Sequence, residues 1–134
     1  MKNVGMLAAL VLGGATTIGA QGATIATAAP SVDQVLSLKR AGSPKISPDG
    51  RWVAYTVRET NWDDNAYETE IWLAEAATGA TRQLTNAKKS SQSPAWSPDG
   101  ATLAFISDRT DKRQVYLINP RGGEAEALTT LDEG

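Results

Sequence analysis

Apolar residues in this chain come in short runs of three or four: Trp52-Val53-Ala54-Tyr55, Ile71-Trp72-Leu73, Leu103-Ala104-Phe105-Ile106 and Val115-Tyr116-Leu117-Ile118. Aromatic and β-branched side chains dominate the runs, and turn-forming residues bound them, which predicts strands. Because the apolar positions are consecutive rather than alternating, the pattern predicts sheets covered on both faces. The predicted strands are Pro44 to Ser47, Trp52 to Val57, Glu70 to Glu75 and Thr81 to Leu84, then Pro94 to Ser97, Thr102 to Ser107, Gln114 to Asn119 and Ala125 to Leu128. The same four-strand series occurs twice.

The repetition extends to residue identity. Ser43-Pro44-Lys45-Ile46-Ser47-Pro48-Asp49-Gly50 returns fifty residues later as Ser93-Pro94-Ala95-Trp96-Ser97-Pro98-Asp99-Gly100, with six of eight positions identical. A second block, Ile71-Trp72-Leu73 through Gly79 to Leu84-Thr85, recurs at a spacing of forty-four as Val115-Tyr116-Leu117 through Gly123 to Leu128-Thr129. The spacing shrinks because the first copy holds thirteen residues from Arg58 to Glu70 where the second holds seven from Asp108 to Gln114. A four-stranded unit of this length, stacked on its neighbours, is the pattern of a β-propeller blade. The fold class expected is therefore all-β: two four-stranded antiparallel blades of an incomplete propeller, residues 43–85 and 93–129 within a partial propeller of 43–134. An ordinary β-sandwich is the alternative.

Pro48-Asp49-Gly50 and Pro98-Asp99-Gly100 read as tight turns joining the first two strands of each blade. Pro presets φ at the first central position, Asp bonds back to its own backbone, and Gly accepts the positive φ that closes the turn. Ahead of the first blade, residues 29–42 form a helical lead-in. Ser31 and Gln34 have capping-box spacing, Val32, Val35, Leu36 and Leu38 form an apolar stripe, and the helix is expected to run to about Arg40 and end at Gly42. Residues 1–28 read as a signal peptide: Lys2 is the only charge before Asp33, Met6 to Leu12 is apolar, and Ala26-Thr27-Ala28 offers small residues for cleavage. The competing reading is an uncleaved membrane anchor. Either way the folded part is expected to be exported, periplasmic or secreted, with no membrane contact once the leader is removed.

Composition excludes several chemistries. The 134 residues contain no Cys and no His, which removes disulfides, thiolate metal sites and the usual general base together. Net charge is −2, and −3 without Lys2 (12 basic against 15 acidic), which argues against nucleic acid as a partner. No cofactor or metal is expected. Asp63, Asp64 and Glu68 lie in the inserted segment but lack the spacing and central Gly of a Ca²⁺ loop. A Ser-Lys dyad from Lys88, Lys89, Ser90 and Ser91 is weaker still, since such a run between strands is ordinarily solvated. Asp49 and Asp99 are explained by their turns, and no residue is assigned as catalytic. Trp62 and Tyr67, aromatic residues on the insert, are the candidates for contact with a neighbouring domain or a peptide. Trp52, Trp72, Trp96 and Tyr116 are expected in the core between blades.

The lead-in helix running directly into Ser43-Pro44-Lys45-Ile46-Ser47-Pro48-Asp49-Gly50-Arg51-Trp52-Val53-Ala54-Tyr55, together with the aromatic-acidic insert after Val57, resembles the start of the propeller in serine peptidases of the prolyl oligopeptidase family. The bacterial dipeptidyl and acylaminoacyl peptidases are the nearest in type. The resemblance covers about Val32 to Gly134. It implies a C-terminal α/β-hydrolase domain carrying Ser, Asp and His, none of which transfers to a position here. It also implies short peptides as substrates and a propeller that limits their access. The alternative is a TolB-like periplasmic propeller that binds proteins and has no enzymatic domain. The Ser-Pro-Asp-Gly repeat is common to both.

Overall fold

A computed structural model describes residues 29–132; the signal-peptide reading of residues 1–28 lies outside them. One short helix, α1 (Val32–Leu36), precedes eight strands: β1 (Arg40–Ile46), β2 (Trp52–Asn61), β3 (Ala66–Glu75), β4 (Thr81–Gln83), β5 (Ser91–Trp96), β6 (Leu103–Ser107), β7 (Gln114–Ile118) and β8 (Glu126–Ala127). They form two antiparallel meanders, β1-β2-β3-β4 and β5-β6-β7-β8, each hydrogen-bonded in sequence order. The expected all-β pair of four-stranded blades is thus borne out.

The Ser-Pro pair that opens each repeat has a structural cause. Ser43 and Ser93 sit at φ 49° and 57°, and the β1–β2 and β5–β6 ladders both slip just there, between Gly42 and Lys45 and between Gln92 and Ala95. Proline has no N–H to give the ladder, so the chain passes it in a bulge. In the second copy Pro94 is fully buried.

Sheet faces follow from register. Ala54 pairs with Leu73 and Thr56 with Ile71, so these share one face of the first blade, and all four are buried. Leu103 pairs with Ile118 and Phe105 with Tyr116 on one face of the second blade, and they too are buried. Together they make a single core, with Trp52, Leu84, Trp96 and Ala125 packed against it. The spacings of fifty and forty-four show that these faces are not equivalent. Leu103, Phe105, Tyr116 and Ile118 match Val53, Tyr55, Trp72 and Ala74, which lie on the other side of the first blade. The blades therefore stack head to tail, unlike face on unlike face, as successive blades of a propeller do.

Three local expectations change. The helix ends at Leu36 and is capped at Ser37, not at Gly42; β1 begins at Arg40 and Gly42 lies within it. Val32, Val35, Leu36 and Leu38 stay exposed, and polar contacts hold the lead-in to the blade: the Thr60 hydroxyl donates to the Leu36 carbonyl at 2.5 Å and Lys39 pairs with Glu59. The segment from Arg58 to Glu70 is not a loop. β2 and β3 continue as a hairpin to the Asn61–Ala66 pair, and only residues 62–65 turn. Trp72 leaves the core, because it occupies the face opposite Leu73.

The outer faces generate a prediction. Tyr55 and Trp72 on one side, and Ile106, Leu117 and the 60% exposed Leu128 on the other, repeat the two chemistries of the buried interface. At tens of micromolar the full chain should self-associate head to tail. Leu117→Lys should weaken association by about tenfold or more while leaving stability within about 0.5 kcal/mol, as for a surface change. Sedimentation velocity checks this, and a wild-type monomer at every concentration would refute it.

Candidate functional site

The two Pro-Asp-Gly turns are superimposable in chemistry. Gly50 and Gly100 both take φ 70°. Ser47 Oγ donates to Asp49 Oδ1 at 2.5 Å and accepts from Trp52 N–H at 2.9 Å, while Arg51 N–H donates to Asp49 Oδ1 at 3.0 Å. Ser97, Asp99, Ala101 and Thr102 repeat this at 2.5, 3.0 and 3.0 Å. The Ser hydroxyl first, and the N–H two residues on second, hold both carboxyls below the usual Asp range. Each is a surface carboxylate already occupied by its own turn. The ionised turn is favoured above the unfolded Asp range and loses that advantage as pH falls through the lowered folded value.

A second repeated cluster gave no motif in the sequence. Buried Glu70, at the middle of β3, accepts from the Thr85 hydroxyl and, at 3.0 Å, from Ala87 N–H, while Thr85 Oγ1 accepts from Ile71 N–H at 2.9 Å. In the second blade Gln114 Oε1 accepts from Thr129 Oγ1 at 2.6 Å and Leu131 N–H at 3.0 Å, and Thr129 Oγ1 accepts from Val115 N–H at 3.0 Å. These clasps tie the chain leaving the fourth strand back to the third. Gln114 can also donate Nε2–H to the Leu131 carbonyl at 2.8 Å, which a carboxylate cannot match. Burial pushes Glu70 above the usual carboxylate range, opposed by the Thr85 hydroxyl, the Ala87 N–H, Ser91 and the Arg109 charge. The signal available was the recurrence of Glu/Gln and Thr at a spacing of forty-four.

Trp62 and Tyr67 lie at the far end of the β2–β3 hairpin, more than half exposed at 55% and 52%. Trp62 projects from the turn, whereas the Tyr67 ring lies under the Arg58 guanidinium, 4.1 Å from its centroid. The acidic residues of the hairpin are engaged by Asn61, whose Nδ2 donates to Asp64 at 3.0 Å and Glu68 at 2.7 Å and whose Oδ1 accepts from Asp63 and Asp64 N–H. Among the described residues no group of three or more acidic side chains is placed to hold a metal ion. Ser90 accepts from Thr69 N–H at 3.1 Å, and Ser91 is buried beside Arg109. Neither is paired with Lys88 or Lys89 as a dyad would require.

A cavity lies between the blades beside Tyr67. It measures about 530 Å³, and Arg40, Arg58, Tyr67, Thr69, Ser90 and Gln92 are among its walls.

Two outcomes test these assignments. Gly100→Val should cost about 1–3 kcal/mol in chemical denaturation, since φ 70° is left-handed and strains a β-branched residue. An unchanged midpoint would refute the turn. Glu70→Gln should raise Tm at pH 7. A raised folded pKa means full stability below the unfolded Glu range and loss as pH rises through the folded value, so the gain should vanish near pH 3. A drop in Tm at pH 7 would show that the charge itself is needed.

Comparison with known proteins places this geometry. A family profile described as the TolB beta propeller domain matches residues 23–134. The uncharacterised peptidase YuxL of Bacillus subtilis is 39% identical over 105 residues, covering 78% of this chain and 16% of the relative. The acylaminoacyl peptidase of Pyrococcus horikoshii superposes with TM-score 0.60 at 21% identity, over 72% of this chain and 15% of that one. The putative TolB of Agrobacterium tumefaciens gives TM-score 0.53 at 24% identity, over 70% and 31%. The chain thus spans only a small part of the length of the relatives it matches. It belongs to the TolB beta propeller domain family, as a propeller segment homologous to the corresponding part of a peptidase.

Proposed function

We propose that this segment is the non-catalytic propeller of an exported serine peptidase and restricts access to its active site to short peptides. The observation that carries the reading is the 39% identity to a Bacillus peptidase, sustained over 105 residues. The head-to-tail stacking supports it, since a ring built from such contacts encloses a passage narrower than a folded protein. Acyl transfer needs a nucleophile, a base and an oxyanion site, and these 134 residues contain no His. The base therefore belongs to an α/β-hydrolase partner domain, whose Ser, Asp and His are the catalytic set, with short peptides as its substrates. A second reading, a periplasmic protein-binding propeller without a hydrolase, is favoured by the likeness in fold to a putative TolB.

The coding sequence beyond Gly134 separates the two. The peptidase reading expects further Ser-Pro-Asp-Gly repeats, then Gly-x-Ser-x-Gly with Asp and His after it in that order. Repeats followed by a stop codon would select the binding propeller. Labelling of the 134-residue chain by a fluorophosphonate, lost on changing one Ser, would overturn both.

A further inference from the structure

Arg40 and Arg58 face each other directly across the β1–β2 ladder. Like charges in that position repel, and among the described residues neither guanidinium has a carboxylate within 4.0 Å: the ion pairs present are Lys39–Glu59 and Lys89–Asp111. Both arginines wall the 530 Å³ cavity between the blades, and no Asp or Glu lines it. Apart from Ala41 and Gly42, the other walls are hydroxyl, amide and aromatic. Ser90 Oγ accepts from Thr69 N–H at 3.1 Å, which leaves its own proton free to donate, and the Tyr67 ring supports Arg58 from beneath at 4.1 Å.

The second blade provides an internal control. At the spacing of fifty, Arg40 corresponds to Ser90 and Arg58 to Asp108, and Tyr67 falls in the insert, which the second copy lacks. Whatever the repeat needs in order to fold, it does not need two arginines here. The pair occurs on one copy only and walls a cavity; the Tyr67 ring supports Arg58, solvent screens the remaining repulsion between two exposed side chains, and nothing in the fold requires that they face each other.

We infer that this groove binds the carboxylate of a short peptide, clamped between Arg40 and Arg58, with the peptide body lying against Tyr67 and the hydroxyl-lined wall. A planar carboxylate offers two oxygens to two forked donors, and a cavity of this volume holds two or three residues rather than a bare ion. The inference deepens the peptide-access reading and rests on it for the identity of the occupant, but its test concerns only this chain.

Isothermal titration of the full 134-residue chain at low ionic strength should show acetyl-Ala-Ala binding at least about tenfold tighter than acetyl-Ala-Ala-amide. Arg40→Gln and Arg58→Gln should each abolish that preference, and added salt should weaken it. Without ligand, Arg40→Gln should raise Tm at low salt, because it removes the repulsion, whereas a merely structural arginine would lower Tm when lost. Equal binding of acid and amide, no binding of the acid at millimolar concentration, or a lowered Tm for Arg40→Gln would overturn the inference. Inorganic phosphate binding as tightly as the peptide acid would overturn its peptide part. A missing hydrolase domain would refute the peptidase proposal while leaving these measurements intact.

Discussion

The structure depends on a mismatch between the two sides of each sheet. One side of a blade is aliphatic at its centre, with Ala54, Ile71 and Leu73 in the first copy, where Trp52 stands at the edge, and Ala104, Val115 and Leu117 in the second. The other carries two aromatics per copy, Tyr55 and Trp72 or Phe105 and Tyr116. Only aliphatic on aromatic is realised: the first blade's Ala54 side meets the second blade's stacked Phe105 and Tyr116 rings, 5.8 Å apart. Burial of each such side chain contributes about 1.5–3 kcal/mol, so the handful in this interface outweighs any polar contact in the pair. Polar contacts supply alignment instead. Trp96 Nε1 donates to the Lys45 carbonyl at 2.9 Å, and Arg82, its guanidinium also near the Trp52 ring, donates to the Pro120 carbonyl.

Given that stacking, the two ends of the interface acquire different chemistry. At one end the Pro-Asp-Gly turns close each hairpin, and every carboxylate there is satisfied locally. Toward the other end the aliphatic face gives way to Thr56 and Thr69, then to Arg58 and Tyr67, as β2 and β3 run past the second blade's sheet. The longer hairpin of the first copy creates that polar extension. It is also why the cavity opens beside Tyr67: the second blade has no matching length of strand to fill it.

Much of this was legible in the sequence for a definite reason. Turn chemistry and repeat spacing are local, and Pro48 to Gly50 and Pro98 to Gly100 could be placed without knowing what packs on what. The sequence ends the strand at Val57 because Glu59 and Asn61 are poor strand formers; cross-strand pairing overrides that preference as far as the Asn61–Ala66 pair, while Asp63 and Asp64 do turn. The helix was overextended because Leu38 continues an apolar spacing that the tertiary structure never buries. The clasps were missed because a single Glu or Gln carries no signature until Thr85 and Thr129 are seen to reach it. Trp62 falls in the four-residue turn and Tyr67 on β3 opposite Thr60, a division that depends on where the hairpin closes and so is not readable from the segment's composition.

Two copies of one unit in one chain also allow structural and functional residues to be sorted without any other sequence. Where both copies agree in identity and contact, as in the turns, the bulges at Ser43 and Ser93 and the Thr-based clasps, the requirement is that of the blade itself. Where they differ while the surrounding contacts persist, the difference needs a separate cause. Glu70 against Gln114 is the mild case: the same bonds form with and without a charge, and the Arg109 charge offsets part of the burial cost of Glu70 alone. Arg40 and Arg58 against Ser90 and Asp108 is the strong case: two facing cations at the end of the β1–β2 ladder correspond to a neutral and an acidic residue just beyond the Ser91–Ser107 pair that ends the β5–β6 ladder. A fold that tolerates either sign at that site leaves the site free to be set by what it meets.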